Sequence, residues 1–274
     1  MSTSNNLPIM AQARLMTYLQ YSLPNLPAQA PPNAGHNTRN DSYGFQDITS
    51  VAVWQEFNVN TIINDYGALL NNARIRPNPT RPAAPHTVVS ETPIAHRTTQ
   101  YITPRVTEAL ECAFDWQRQN NQIQNRTPVT VDVGDMAHYF DGFIPDLAIY
   151  QDPWNYGSGQ KPANRAPGDV KPSWNWRYGM LDGDATDQRE FRQVISQVRR
   201  YMNDNRSRYG FIITNQECVA FRRDNNSCQF FVSLPVPWGA QGDQNNPRLT
   251  PLLAMWYLAM LAANDAGDRR WRLW

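Results

Sequence analysis

The sequence contains almost no lysine. Of its 25 basic residues, Lys161 and Lys171 are the two lysines and the other 23 are arginines. A lysine ammonium is a compact charge whose pKa responds to its surroundings, and a guanidinium cannot take that role. A base composition that favours arginine codons would give the same ratio, so the neighbours of each lysine must decide. Lys161 lies in a stretch rich in Pro, Gly and Asn, whereas Lys171 follows Asp169 by two positions.

Cysteine and histidine are also scarce. The three cysteines, Cys112, Cys218 and Cys228, are an odd number without metal-ligand spacing, which predicts a reducing compartment rather than a disulfide framework. The four histidines are scattered and show no zinc-site spacing. The sequence lacks a P-loop, a dinucleotide fingerprint and a G-x-S-x-G turn, so nucleotide-hydrolysing, Rossmann-type and serine-hydrolase functions have no support.

Long apolar runs and a strong charge imbalance are missing as well. The longest apolar run, residues 252–263, has 12 residues, whereas a membrane-spanning helix needs about 20. The first residues lack the basic and apolar regions of a signal peptide. The net charge of +1 argues against a uniformly basic nucleic-acid coat but allows a local basic face. These features predict an intracellular protein, nuclear or cytoplasmic, without a membrane partner.

The character of the sequence changes near residue 100. Residues 1–100 are rich in Pro and Asn, and we expect an extension of short helices and Pro-rich connectors there. Within it, the apolar residues of 48–73 predict one or two helices, and 77–96 predicts a connector. Residues 101–274 show longer periodic patterns and predict a compact domain.

The periodic patterns of this second part predict a mixed α/β fold. Helical spacing of apolar residues predicts helices at 104–119, 187–205 and 251–263. Alternating or apolar runs predict strands at 129–133, 143–150, 169–176, 209–214, 218–223 and 228–234. The Pro-, Gly- and Asn-rich residues 151–168 predict a surface excursion. We therefore expect a central mixed sheet flanked by helices.

Three polar side chains fall on neighbouring predicted strands. Pro145-Asp146 lies in the second strand, and Asp169-Val170-Lys171 opens the third. Because side chains alternate along a strand, Asp169 and Lys171 point to the same face. If the two strands are neighbours, Asp146 joins them, and a divalent cation such as Mg²⁺ would relieve the repulsion between the two carboxylates.

This order of a helix, a Pro-Asp strand, an Asp-x-Lys strand and a Gln197-x-x-x-Tyr201 helix resembles the PD-(D/E)XK nuclease superfamily over about residues 104–235. The resemblance implies a restriction-endonuclease-like core. It also implies a nuclease in which Asp146 and Asp169 bind Mg²⁺ or Mn²⁺, Lys171 assists the attacking water and Gln197 organises the site.

The family also often carries an acidic residue on its first core helix. Glu108 and Glu111 are the candidates here, and Glu111 is the predicted third metal ligand. Many relatives of this fold are dimers, so the resemblance is compatible with a homodimer. A large group of uncharacterised fungal proteins is also similar to this sequence in four segments, GDVKPSWNW, QVISQVRRYM, RYGFIITNQECVAFRR and LLAMWYLAML. This second resemblance does not say which activity the protein has.

The densest basic segment surrounds the predicted helix 187–205. Its candidates for contact with nucleic acid are Arg192, Arg199, Arg200 and Arg206. Guanidinium groups form paired hydrogen bonds to phosphate, so a nucleic-acid backbone is the expected partner, with DNA favoured over RNA. A merely solvated helix face is the alternative. For the whole chain, the alternative to a nuclease is an inactive nuclease-like domain that binds nucleic acid or protein.

Overall fold

The described part of the chain contains six α-helices and ten β-strands. The computed structural model describes residues 12–32, 37, 39–78, 86–154, 156–224 and 229–274. Cys228, the first residue of the strand predicted at 228–234, lies outside these ranges. The α-helices are α1 (Leu15–Leu19), α2 (Val59–Asn72), α3 (Glu91–Tyr101), α4 (Thr103–Gln119), α5 (Ala185–Asp204) and α6 (Pro251–Ala262). The strands are β1 (Ala13–Arg14), β2 (Ser50–Val53), β3 (Arg74–Ile75), β4 (Val129–Val133), β5 (Leu147–Gln151), β6 (Asn164–Lys171), β7 (Tyr209–Thr214), β8 (Glu217–Arg223), β9 (Gln229–Val232) and β10 (Val236–Pro237).

Eight strands form one central mixed sheet. Their order is β2-β9-β8-β7-β6-β5-β4, with β10 paired to β8. The pairs β2–β9 and β6–β7 are parallel, and the other pairs are antiparallel. Strands β1 and β3 form a separate two-stranded sheet. The prediction of a mixed α/β fold with a central sheet is confirmed.

Helices cover both faces of this sheet. On one face, α1, α2, α4 and α6 enclose a large apolar core to which Val170 and Phe211 contribute. On the other face, α5 packs Phe191 against a smaller core with Ile212 and Phe221. Because Asp169 and Lys171 flank Val170 on β6, alternation along the strand turns both toward the α5 face.

Helix α5 begins at a side-chain cap. The Asp184 side chain caps the helix by accepting hydrogen bonds from the backbone amides of Thr186 (2.8 Å) and Asp187 (2.9 Å). The cap lies three residues before the predicted start at 187, which the apolar stripe alone could not reveal. The stripe itself is buried against the sheet as predicted.

Helix α6 lies in the middle of the larger core. All 12 of its residues are buried, and the Thr250 hydroxyl accepts a hydrogen bond from the amide of Leu253 at 3.1 Å. A helix that is apolar on every side needs neighbours on every side, and α4 and the sheet supply them. Across the residues that the structure describes, no helix combines the length and apolar character needed to cross a membrane.

One helix prediction and one strand prediction were wrong in position. Residues 50–53 form β2 instead of a helix, and β6 begins at Asn164 inside the predicted surface excursion. Asp169 and Lys171 therefore end this strand instead of opening it. In both segments, pairing with distant strands overrides weak local preference: β2 pairs with β9, and β6 lies between β5 and β7.

Described residues before position 100 belong to the same sheet and core. Strand β2 extends the central sheet next to β9, and Leu15, Ile62 and Leu70 are buried in the larger core. The predicted boundary falls inside α3, which is separated from α4 by Ile102 alone. The described part of this region is thus integral to the domain and not an extension of it.

Candidate active site

Asp146 and Asp169 face each other across two neighbouring strands. Leu147 of β5 pairs with Gly168 of β6 in antiparallel register, so one further step places Asp146 opposite Asp169. Oδ2 of Asp146 accepts a hydrogen bond of 2.8 Å from the backbone amide of Val170. Between the two aspartates, the chain leaves the sheet at the end of β5 and returns at the start of β6. The two side chains that were predicted to meet therefore lie together.

The position of Asp146 depends on a close approach of two backbone segments. The Gly134 amide donates a hydrogen bond of 3.0 Å to the carbonyl oxygen of Asp146. A Cβ atom at residue 134 would lie 1.7 Å from the carbonyl oxygen of Pro145. Glycine is therefore required at residue 134, directly after β4, for the Pro145-Asp146 segment to pass.

Replacing Gly134 by alanine is expected to lower the free energy of unfolding by about 1–3 kcal/mol, because the added methyl group must displace backbone. Urea unfolding would measure the change. Gly179→Ala is the matched control, since a Cβ there meets no atom within 4 Å. Equal losses in both variants would contradict the steric argument.

Lys171 is enclosed between two carboxylates. Its Nζ lies 3.1 Å from Oδ2 of Asp169 and donates a hydrogen bond of 3.2 Å to Oε1 of Glu91, the first residue of α3. The lysine retains 9% of its exposure. Burial alone would lower the pKa of Lys171, but the negative charges of Asp169, Glu91 and Asp146 outweigh burial and raise it. Lys171 therefore stays protonated at neutral pH.

If both aspartates were ionised, their negative charge would exceed the positive charge of Lys171. Burial, and next the negative charge of Asp169, raise the pKa of Asp146 to about 8. The hydrogen bond from the Val170 amide acts in the opposite direction and is weaker. Without a bound cation, Asp146 thus retains a proton at neutral pH, because two ionised carboxylates that are buried side by side repel each other.

Gln197 and Tyr201 form the next part of the cluster. Nε2 of Gln197 donates a hydrogen bond of 2.7 Å to the Tyr201 hydroxyl, one turn further along α5. Tyr201 is buried, and its pKa is raised by burial and then by the charge of Asp169. The helix predicted to carry Gln197 does reach the cluster, and Gln197 contacts Tyr201 there.

Tyr43 lies near the cluster. Tyr43 is 6% exposed, and its pKa is raised by burial and then by the charge of Asp169. Its ring lies edge-on to Phe143, with the centroids 6.2 Å apart. The adjoining Phe45 amide donates a hydrogen bond of 3.1 Å to Oε1 of Gln193 on α5. Tyr43, which precedes the predicted domain, is therefore buried close to Asp169 and Lys171.

The predicted arginines occupy different places along α5. Arg199 and Arg200 line a cavity of about 250 Å³ beside Tyr43. Arg200 pairs with Asp204 at 2.8 Å and with Asp141 at 3.4 Å. Arg192 is half-buried, and Arg206 is exposed beyond the end of the helix.

Glu111 is not brought to the aspartates. It lines a cleft with Thr130 and Asp152, beyond the end of β5 opposite to Asp146. Glu111 lies on the exposed side of α4, because the apolar stripe of that helix is the side turned to the sheet. The acidic residue that a helix places next to Lys171 is Glu91, on α3.

Sequence reasoning missed Glu91 and Tyr43. Glu91 was assigned to a Pro-rich connector, although Ser90-Glu91-Thr92-Pro93 carries the small polar residue, early acid and proline that mark a helix start. For Tyr43, we find no signal in the sequence, since its place depends on a distant segment folding onto α5. Searches against protein-family models, curated proteins and solved structures returned no match to this chain.

Proposed function

We propose that the protein is a metal-dependent nuclease that hydrolyses phosphodiester bonds. The observation that carries this proposal is the meeting of Asp146, Asp169 and Lys171 at one point, with the Lys171 amine 3.1 Å from Asp169. Burying such a charged group costs stability, and clusters with perturbed pKa values occur preferentially at functional sites. The element order α4-β4-β5-β6-α5-β7 also agrees with the resemblance to the PD-(D/E)XK superfamily.

The two aspartates suit a hard divalent cation. Carboxylate oxygens are the ligands of Mg²⁺ and Mn²⁺, and Mg²⁺ is commonly held by one or two carboxylates together with waters and substrate phosphate. Oδ2 of Asp169 is buried 3.1 Å from the Lys171 ammonium, and in the described part of the chain no hydrogen bond of good geometry reaches it. Within that same part, no group of three or more acidic, histidine or cysteine side chains forms a metal site. Asp146 and Asp169 would therefore hold the ion as a pair.

A cation bound there would supply a polarised water and charge stabilisation at phosphorus. Lys171 keeps its proton, so its contribution is electrostatic: it donates hydrogen bonds to the attacking water or to the scissile phosphate. Attack by water forms one P–O bond and breaks the ester P–O bond, and the proton of the water ends on the leaving oxygen. Gln197 and Tyr201 act as positioning residues behind Asp169.

Asp169 and Lys171 are nearly enclosed, with 2% and 9% of their surface exposed. A phosphate can reach them only after neighbouring side chains move aside. The enclosure excludes bulk water, which strengthens the electrostatic effect of Lys171 on a bound phosphate.

The test is cleavage of end-labelled DNA and RNA, single-stranded and duplex, with Mg²⁺, Mn²⁺ or EDTA. We expect cleavage with either metal and none in EDTA. The double variant Asp146→Asn/Asp169→Asn should be slower by at least about a hundredfold, because charge stabilisation is lost. Glu111→Gln makes the same chemical change at a distant carboxylate and should leave the rate unchanged. Equal rates for wild type and the double variant would refute the proposal.

A second function, a nuclease-like domain that binds nucleic acid or protein without hydrolysis, is favoured by the enclosure of Lys171. Its ion pairs with Asp169 and Glu91 satisfy the ammonium without any ligand. Nucleic-acid binding without cleavage under every metal condition above would support this function over the nuclease.

A further inference from the structure

A groove with basic and aromatic walls lies at the C-terminal end of α5. It has a volume of about 410 Å³, within the range of small-ligand sites. The side chains that matter here are His138, Phe140, Lys161, Asp204, Arg206 and Arg272. None of the residues that line it belongs to the aspartate cluster.

The groove carries more positive than negative charge. Asp204 is the acid in its lining and is paired with Arg200 at 2.8 Å. Lys161 is paired with Asp135 at 2.6 Å. Arg206 and Arg272 are exposed, and neither has an ion pair with another described residue. Two guanidinium groups are thus available to a ligand with negative charge.

Arg206 occupies a backbone position that usually belongs to glycine. Helix α5 ends in a Schellman motif, in which Ser207 N bonds to Met202 O at 2.8 Å and Arg206 N bonds to Asn203 O at 3.0 Å. Arg206 has φ 54°, in the left-handed region. An L-residue with a side chain is strained there, and such strain concentrates at functional positions.

A rigid turn presents an aromatic ring to the same groove. Asp141 and Gly142 have φ 51° and 76°, as in the two-residue turn of a type I′ hairpin. The Phe143 amide donates a hydrogen bond of 2.8 Å to the Phe140 carbonyl and closes the turn. The Phe140 ring is 40% exposed and packs edge-on against His138, with the centroids 4.4 Å apart. One face of an aromatic group is therefore available for stacking.

The groove is connected to the aspartate cluster by one loop and one strand. Residues 137–146 run from the groove, through Phe140 and Phe143, to Asp146. Ala163 in the groove and Asp169 are six residues apart, which is about 20 Å along a strand. A chain of phosphates leaving the cluster would reach the groove within a few nucleotides.

We propose that this groove binds single-stranded nucleic acid, with Arg206 and Arg272 contacting phosphates and Phe140 stacking on an unpaired base. The inference rests on the proposed nuclease function, which makes nucleic acid the ligand. Positive charge along a backbone track together with aromatic stacking is the usual arrangement in single-strand binding. Bases in a duplex are stacked on each other and cannot use Phe140.

The test is fluorescence polarisation of labelled single-stranded and duplex oligonucleotides, DNA and RNA, in EDTA to prevent hydrolysis. For Arg206→Gly/Arg272→Gln, the slope of log K against log salt should fall by about 1.4, since each phosphate contact on a single strand contributes about 0.7. Phe140→Ala should raise Kd by about fivefold or more. The Tm of Arg206→Gly should stay the same or rise, because glycine suits the left-handed position.

Arg76→Gln/Arg118→Gln removes the same charge from exposed positions outside the groove and is the control. An equal change of salt slope in this control, or none in the groove variants, would overturn the inference. Duplex binding as tight as single-strand binding, with the same loss on Phe140→Ala, would overturn the single-strand assignment. Groove-dependent binding without cleavage in the presence of metal would refute the nuclease proposal and support the groove proposal. Cleavage whose rate is the same in wild type and the groove variants would support the nuclease proposal and refute the groove proposal.

Discussion

Replacing Lys171 by methionine is expected to slow metal-dependent cleavage by at least about a hundredfold, because the charge that stabilises the transition state is removed. The same variant should lower the free energy of unfolding by about 3 kcal/mol. Breaking a buried ion pair leaves one partner without compensation, and Asp169 is 2% exposed beside Lys171. Cleavage assays and urea unfolding would measure the two effects separately.

A double variant separates the catalytic role of Lys171 from its structural role. Lys171→Met/Asp169→Asn removes both charges, so much of the lost free energy of unfolding should return. Cleavage should remain as slow as in Lys171→Met or slower. Lys161→Met is the matched control for stability. Its ion pair with Asp135 is shorter, at 2.6 Å against 3.1 Å, but largely exposed, and such pairs contribute about 0–1 kcal/mol. A folded Lys171→Met protein that cleaves at the wild-type rate would exclude the lysine from the reaction.

Stability should fall as the pH rises through the titration range of Asp146. The pKa of Asp146 is raised to about 8, from 3.8 as the ordinary value in an unfolded chain. The folded state therefore holds this proton more tightly, and the stabilisation is complete below pH 3.8. It is lost progressively up to about pH 8, with a slope of at most about 1.4 kcal/mol per pH unit.

Asp146→Asn should remove this part of the pH dependence. The amide oxygen can still accept the hydrogen bond from Val170, and no second negative charge faces Asp169. In EDTA at about pH 9, above the titration of Asp146, the variant should be more stable than wild type, as measured by urea unfolding. Asp115→Asn, at an exposed ion pair, is the control. If wild type and Asp146→Asn lose stability in parallel from pH 5 to 9, burial of the Asp146 charge is not the cause of the loss.

The effect of Mg²⁺ on the Tm of the same two proteins is a second measurement. At alkaline pH, Asp146 and Asp169 are both available as ligands, and a cation that binds the folded state alone raises stability with its concentration. Mg²⁺ should therefore raise the Tm of wild type more than that of Asp146→Asn. An equal increase in both proteins would argue against the aspartate pair as the ion site.

Much of the candidate site could be predicted from the sequence because its signals are local. Asp169 and Lys171 share a face through the alternation of a strand, and Gln197 and Tyr201 are one helical turn apart. Glu111 shows the limit of this reasoning. An acidic residue on a helix next to the sheet was plausible by order along the chain, but its direction from the helix and its position along β5 decided that it lies elsewhere.

The sequence by itself determined the mixed α/β class and most helices, since apolar spacing and capping residues act over a few positions. Tertiary structure alone decided that β2 joins the sheet, that β6 begins at Asn164, and that Glu91 and Tyr43 meet Lys171 and Asp169. These results depend on pairing and packing between residues far apart in the chain, where weak local preferences yield to buried hydrogen bonds and apolar contacts. The lysine that stood out among 23 arginines gained its second charged partner, Glu91, through such contacts.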